Sequence, residues 1–357
     1  MRYRFSLGPF HPGWPGPLRF DLEVEDGIVR TAEAVMIGLE KIRAEEWAGL
    51  SVEEGLSRVE KLCAPSSWAY TTAYCQALET LAGREVPPRG RYLRVLLAEL
   101  ERATSHLLAA AQILELAGLP AVAASLMDLR EEVVRSQQQL TGRRFFSGLN
   151  VPGGLRQDLD NLDTLPGLVR WIKGPLYRLS HRVVSNRPVV SLLVGSGLLT
   201  KEKAEEEGIG GPAARASESA RDLRPDQPYA AYAELDPQVV TQGGGDAFAR
   251  WMVLILETFE SLRLVEAVAQ QLPGGPVCSD GGIEVPPGEA LARLESPAGP
   301  LQVRVQIEES GRLAGLWRTA PSQVHLAMLP QVLPGQQLDL VGVIVASWGL
   351  CSPCLTR

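Results

Sequence analysis

The chain has 357 residues, is 45% apolar and 22% charged, and carries a formal net charge of −7. That length suffices for one large core or two modest domains, and the composition is that of a soluble globular protein. No basic run is present to neutralise phosphates, which excludes a nucleic-acid partner. No stretch reaches the roughly eighteen continuous apolar residues of a membrane span, and Met1–Phe10 lacks an apolar signal-peptide core. These features predict a cytoplasmic protein, or one held at a membrane only by partners.

Residues 1–37 read as strands. Phe20, Leu22 and Val24 alternate with polar residues, Asp26-Gly27 is a hairpin turn, and Gly8–Pro17 is a stiff loop entering it. From about 38 to 186 the periodicity is helical. Ser51 and Glu54 make a capping box for a helix that stops at Pro65. Further helices fit 67–82, 89–117, 120–142 and 162–185, three of them closed by Gly83, Gly118 and Gly142. Thr200 caps a short charged helix, and 246–271 is a long one. Strands return at 291–295 and 300–309, a helix fits 321–333, and the apolar run Leu340–Ala346 leads to the C-terminal cysteines. The expected fold class is α+β: a long-helix bundle (38–275) flanked by an N-terminal hairpin region (1–37) and a C-terminal α+β region (285–357), joined in one compact domain.

Five cysteines do not make a disulfide framework. Cys351-Ser-Pro-Cys354 presents two sulfurs on one side of a turn, so one metal ion can accept both. Alone, the pair also fits a disulfide, a zinc half-site or a solvated tail. Cys63 ends a capped helix two residues before Pro65, and Ser66 stands where a second thiolate of an upstream pair would be. A hydroxyl is a hard donor and a poor replacement for thiolate on a soft metal; Cys63 by itself also reads as a buried small hydrophobe. Cys75 and Cys278 have no partner at ligand spacing, and His181 and His325 receive no role. His106 reads as a packing histidine, Glu99 and Arg102 as a pair on the helix surface or against a partner, and Arg156/Asp158 and Asp222/Arg224 as structural ion pairs.

The order of motifs resembles one family over nearly the whole chain. Gly8-Pro-Phe-His11-Pro is similar to a Gly-Pro-x-His-Pro loop, and Glu60-Lys-Leu-Cys63-Ala-Pro-Ser66 to Glu-Arg-Ile-Cys-Gly-Ile-Cys. Tyr92-Leu-Arg through Glu99, Arg102 and His106, then Gly153-Gly-Leu-Arg156-Gln-Asp158, Asp222-Leu-Arg224 and Gly244-Gly-Asp246 through Arg250, follow in family order. The family is that of nickel–iron hydrogenase large subunits and their homologue in complex I (NADH-quinone oxidoreductase). The ending Cys-x-x-Cys-x-Thr-Arg resembles its complex-I-like, membrane-bound group 4 hydrogenases.

The resemblance implies a metal site at Cys63, Ser66, Cys351 and Cys354, with Cys63 and Cys351 as terminal nickel ligands and Cys354 as a bridge to iron. Ser66 replaces the other bridge, which argues against an intact Ni-Fe centre. His11, Glu60, Tyr70 and Pro297 are the expected pocket-lining residues. Further departures surround the same pocket: Tyr70 stands for a histidine, Ala298 for the arginine that overhangs the nickel, Gly16 for an acidic proton relay, and Gly349-Leu350 for Asp-Pro. Pro15 replaces the histidine that meets quinone in the complex I homologue, so quinone reduction is the less supported reading. The implied partners are an iron-sulfur small subunit and membrane ion-translocating subunits. The small subunit would be similar to its complex I counterpart and would bear the 4Fe-4S cluster that this chain lacks. The expected location is peripheral, on the cytoplasmic side of the cell membrane. The expected function is electron transfer coupled to ion translocation, with altered hydrogen chemistry; the alternative is a metal-free, non-catalytic coupling subunit.

Overall fold

The computed structural model describes residues 1–14, 16–37, 43–281 and 283–355. Pro15, Thr356 and Arg357, used above as motif positions, lie outside them. Strands β1 (Arg2–Leu7), β2 (Leu18–Glu25) and β3 (Ile28–Met36) form an antiparallel sheet in the order β1-β2-β3. The alternation in β2 buries Leu18, Phe20, Leu22 and Val24 on one face. Asp26, at φ 53°, and Gly27, at φ 80°, supply the positive-φ pair that a tight hairpin needs.

Helix α1 (Val52–Val59) starts at the capping box of Ser51 and Glu54. A turn then leads to α2 (Ser67–Ala82), which ends at left-handed Gly83. The long α3 (Pro88–Leu116) and α4 (Pro120–Thr141) are followed by the two-residue strands β4 (Asn150–Val151) and β5 (Gly154–Leu155) and by α5 (Leu165–Val184). Short helices α6 (Arg187–Leu193), α7 (Lys201–Glu206), α8 (Gly211–Arg215), α9 (Leu223–Asp226) and α10 (Tyr232–Leu235) lead to α11 (Ala247–Gln271). Helix α11 packs along α3, and α4 covers the other side. Leucines 93, 96, 97, 100, 107 and 114 of α3 are fully buried between them. At roughly 1.5–3 kcal/mol for each large apolar side chain taken out of water, this central helix anchors the bundle.

Strands β6 (Gly288–Ser296), β7 (Gly299–Ile307) and β8 (Leu313–Thr319) form a second antiparallel sheet in sequence order, packed on α2. Strand β8 is an addition to the sequence reading: its apolar residues are interrupted by Gly315 and Arg318. Helices α12 (Pro321–Val332), α13 (Val341–Ser347) and α14 (Ser352–Leu355) close the chain, and the apolar run Leu340–Ala346 is helical over most of its length. The two ends of the chain share one core. Phe20 and Leu22 join Leu329, Ile344 and Trp348 in an apolar cluster, and Ile28 bridges to Gln337.

One reading is overturned by burial. Glu99 and Arg102 do not lie on the helix surface; both are inside the protein. Arg102 is 3.4 Å from Glu99, which also accepts hydrogen bonds from Arg224 (3.2 Å), Ser261 (2.6 Å) and Tyr232 (2.5 Å). Arg224 pairs with Asp222 at 2.7 Å, while Arg215 lies 2.5 Å from Glu257, 2.8 Å from Glu295 and 3.4 Å from Asp222. His106 reaches Glu257 at 2.7 Å. Three guanidiniums thus meet four carboxylates inside the bundle. Despite burial, Arg224 and Arg215 hold Asp222 down to about 2. Burial pushes Glu295 upward and His106 downward. Arg156 and Asp158 do not pair: Arg156 donates to the Gly148 carbonyl (3.0 Å), and Asp158 meets Arg89 (2.8 Å).

Candidate redox-thiol site

Cys63 is delivered by α1. Its extended backbone (φ −154°, ψ 106°) turns the chain out of that helix, and Ala64–Ser66 form a single tight turn with Pro65 in it. Cys351 and Cys354 are delivered by α13. That helix is fixed from below by Arg250 of α11, which donates to Ser347 Oγ (2.9 Å) and to the Gly197 (2.9 Å) and Gly245 (2.8 Å) carbonyls. Gly349, at φ 60°, reverses the chain after α13. The Cys351 amide then donates to Ser322 Oγ (3.1 Å), and the Cys354 amide to the Cys351 carbonyl (3.1 Å).

The sulfurs converge. Cys63 Sγ lies 3.3 Å from Cys351 Sγ and 3.1 Å from Cys354 Sγ, across 288 and 291 positions of sequence. All three side chains are buried, and they form a group close enough to ligate one ion. Sulfur–sulfur hydrogen bonds with Cys351 and Cys63, helped by Tyr70, hold Cys354 well below the ordinary thiol range. Cys63 is pushed up, first by its hydrogen bond with Cys351, and Cys351 by its bond with Cys354. Within this trio the thiolate form is favoured at Cys354 over Cys63 and Cys351.

Tyr70, on the second turn of α2, donates to Cys354 Sγ at 3.5 Å. Arg318 of β8 donates to the Tyr70 hydroxyl (3.1 Å) and to the Pro353 carbonyl (3.2 Å). Sequence reasoning missed this cation, because β8 and its direction were not visible. Ser66 is buried at the start of α2, its amide donating to the Cys63 carbonyl at 3.3 Å. Pro297 lies in the β6–β7 turn. Arg102 holds that turn by donating to the Glu295 (2.7 Å) and Ser296 (3.1 Å) carbonyls.

Two expected pocket residues make contacts of their own. His11 stacks on Trp14 (ring centroids 4.0 Å apart), accepts from the Gly13 amide (3.0 Å), and is outside the three-sulfur group. Glu60 accepts from the Gly148 amide and lines a separate groove of about 530 Å³ with Val151 and Arg156. His325 is buried between the Trp348 (3.2 Å) and Gly210 (3.3 Å) carbonyls, and burial lowers it to about 4. Glu101 was not singled out by sequence. It accepts from the Trp68 (2.7 Å) and Ala69 (3.1 Å) amides, capping α2 in place of Ser66, and burial raises it to about 8. Its only sequence signal was a charge set between Glu99 and Arg102 on the leucine-rich stretch of the helix.

The fold and the site together are a helix bundle against which thiols from distant parts of the chain meet. Residues 117–281 match the family model of the respiratory-chain NADH dehydrogenase 49 kDa subunit. The carbon monoxide-induced hydrogenase of Rhodospirillum rubrum is 28% identical, over 99% of both chains. An NADH-quinone oxidoreductase subunit of Chloroherpeton thalassium is 30% identical, over 96% of this chain and 84% of its own. A chain of an archaeal respiratory complex, the membrane-bound sulfane sulfur reductase, superposes with a TM-score of 0.94 at 27% identity, over 100% of this chain and 98% of that one. The protein belongs to the complex I 49 kDa subunit family, whose members resemble nickel–iron hydrogenase large subunits. No helix among the described residues is long and apolar enough to cross a membrane.

Proposed function

We propose that the chain is the large subunit of a complex-I-like, membrane-associated oxidoreductase of the group 4 hydrogenase lineage, and that Cys63, Cys351 and Cys354 form its reaction centre. The observation that carries this reading is the convergence of three buried sulfurs from the two ends of the chain. An iron-sulfur small subunit at the thiol pocket and ion-translocating membrane subunits are the partners this reading requires, on the cytoplasmic face.

The donor set does not suit a binuclear nickel–iron centre. Two soft metals bridged by two thiolates need four sulfurs, and here the fourth position carries a hydroxyl. Ala298 adds neither the charge nor the donor of the overhanging arginine. Three thiolates do suit one soft ion, with Ser66 or water completing its shell. Such an ion would supply Lewis-acid or redox chemistry. The chain's own contribution is the Cys354 sulfur, with Tyr70 and Arg318 beside it to hold a proton and stabilise negative charge.

A second reading is favoured by the near-complete superposition on the sulfane sulfur reductase. In it the Cys354 thiolate attacks an S–S bond of a polysulfide and releases the shortened polysulfide anion; the Cys63 thiolate then displaces hydrosulfide from the resulting persulfide, and two electrons from the iron-sulfur partner reduce the Cys63–Cys354 disulfide. Metal analysis of the isolated complex separates the two: one soft ion per chain, without infrared bands of iron-bound carbonyl and cyanide, supports the first. Metal-free protein that turns over a polysulfide supports the second. If Cys63→Ser and Cys354→Ser both leave viologen-linked turnover unchanged, the site is not a reaction centre and a coupling role remains.

A further inference from the structure

A cavity of about 120 Å³ lies against the Ala64–Ser67 turn that carries Cys63, walled by α3, α4 and the segment 144–146. Its volume is that of about four water molecules at roughly 30 Å³ each. Its polar wall is out of balance. Arg130 of α4 lines it with no hydrogen bond or ion pair among the described residues, although the Glu131 charge acts on it, and its Nε is buried without an acceptor. The other charged wall groups are occupied. Both oxygens of Glu101 are taken by the Trp68 and Ala69 amides, and both terminal nitrogens of Arg144 by Glu131, at 2.9 and 2.8 Å. Gln137, only 4% exposed, also lines the cavity, and its amide makes no hydrogen bond among the described residues. A half-buried guanidinium and an amide without a protein partner thus face one small space, and each needs a hydrogen-bonding guest there, water or a ligand. Both groups can donate to a single acceptor.

We propose that this cavity is a subsite for a small monoanion of three to five heavy atoms, bound by the Arg130 guanidinium and the Gln137 amide. It lies on the outer face of the turn whose inner end bears Cys63. The ligand is thus an anionic substrate or product held one turn of chain from the thiols, a role that rests on the reaction-centre reading above. The binding itself does not rest on it.

Equilibrium dialysis of the reduced full-length protein with radiolabelled thiocyanate tests the binding. One site per chain is expected, weakened at least about fivefold in Arg130→Gln, substantially kept in Arg130→Lys, and unchanged in Arg170→Gln, an exposed arginine of α5 outside the cavity wall. Equal binding by wild type and Arg130→Gln, or no saturable site in the wild type, overturns the proposal. A second readout addresses delivery: alkylation of the thiols by anionic iodoacetate against neutral iodoacetamide. The rate ratio should fall at least about threefold in Arg130→Gln while the iodoacetamide rate is unchanged. Thiocyanate binding that depends on Arg130, together with thiols that resist both reagents, would keep the anion subsite and count against the reaction centre instead.

Discussion

Two buried polar assemblies meet on α3, and they differ in completeness. The ionic network around Glu99, Arg102, Arg215 and Arg224 has a partner for every carboxylate, drawn from α3, α8, α9, α11 and β6. The thiol site, a turn away beyond Glu101, has three soft donors where its resemblance asks for four. The network ties together elements far apart in sequence without any cofactor, so the architecture does not depend on the metal chemistry.

Breaking the network should have the largest effect. Arg215→Met leaves Glu295 without its ion-pair partner and takes one partner each from Glu257 and Asp222, and breaking such a buried pair costs about 3–5 kcal/mol. Urea unfolding should show that loss; a change under about 1 kcal/mol would show that the network is not what holds the bundle.

Next comes Glu101, between the two assemblies. Its carboxyl titrates near 8 in the folded chain against an ordinary 4.5, with burial as the cause. A raised carboxyl stabilises the fold fully below the unfolded value and loses that contribution as pH rises through the folded one. Stability should therefore fall by a few kcal/mol between about pH 4.5 and 8, at roughly 1.4 kcal/mol per unit of pH at most. Glu101→Gln should flatten this slope in denaturation curves taken across that window. An identical slope would assign the dependence to other groups.

At the thiol site the expected stability effects are smaller and the chemical ones larger. Cys63→Ser puts a hydroxyl in place of a buried thiol and should cost about 1–2 kcal/mol of unfolding free energy, yet it should abolish turnover of the complex. Ser66→Cys sharpens the same contrast by supplying the fourth sulfur. It should raise soft-metal retention at least about tenfold in chelator competition, with stability nearly unchanged. Smallest of all, Lys173→Ala removes a half-exposed pair with Glu266, and should shift stability by less than about 0.5 kcal/mol.

The long helices were legible because each has an apolar period and a stop: α2 ends on Gly83 and α4 on Gly142, both left-handed in the structure. The meeting of Cys63 with Cys351 and Cys354 was reachable through motif order alone, since no local pattern links positions so far apart. Arg318 and Glu101 were not legible. Each acts through a contact whose partner is fixed only by sheet register or helix packing. The burial of Glu99 and Arg102 was misread for a related reason. A charged pair at i,i+3 looks the same in sequence whether its outer face meets water or Arg224.

Cadmium binding to the reduced full-length protein tests the convergence of the chain ends most directly. One tightly bound ion per chain, with three sulfur neighbours by X-ray absorption and affinity lost in Cys63→Ser as fully as in Cys354→Ser, is the expected result. Binding by Cys351 and Cys354 that is indifferent to Cys63→Ser would contradict a shared site.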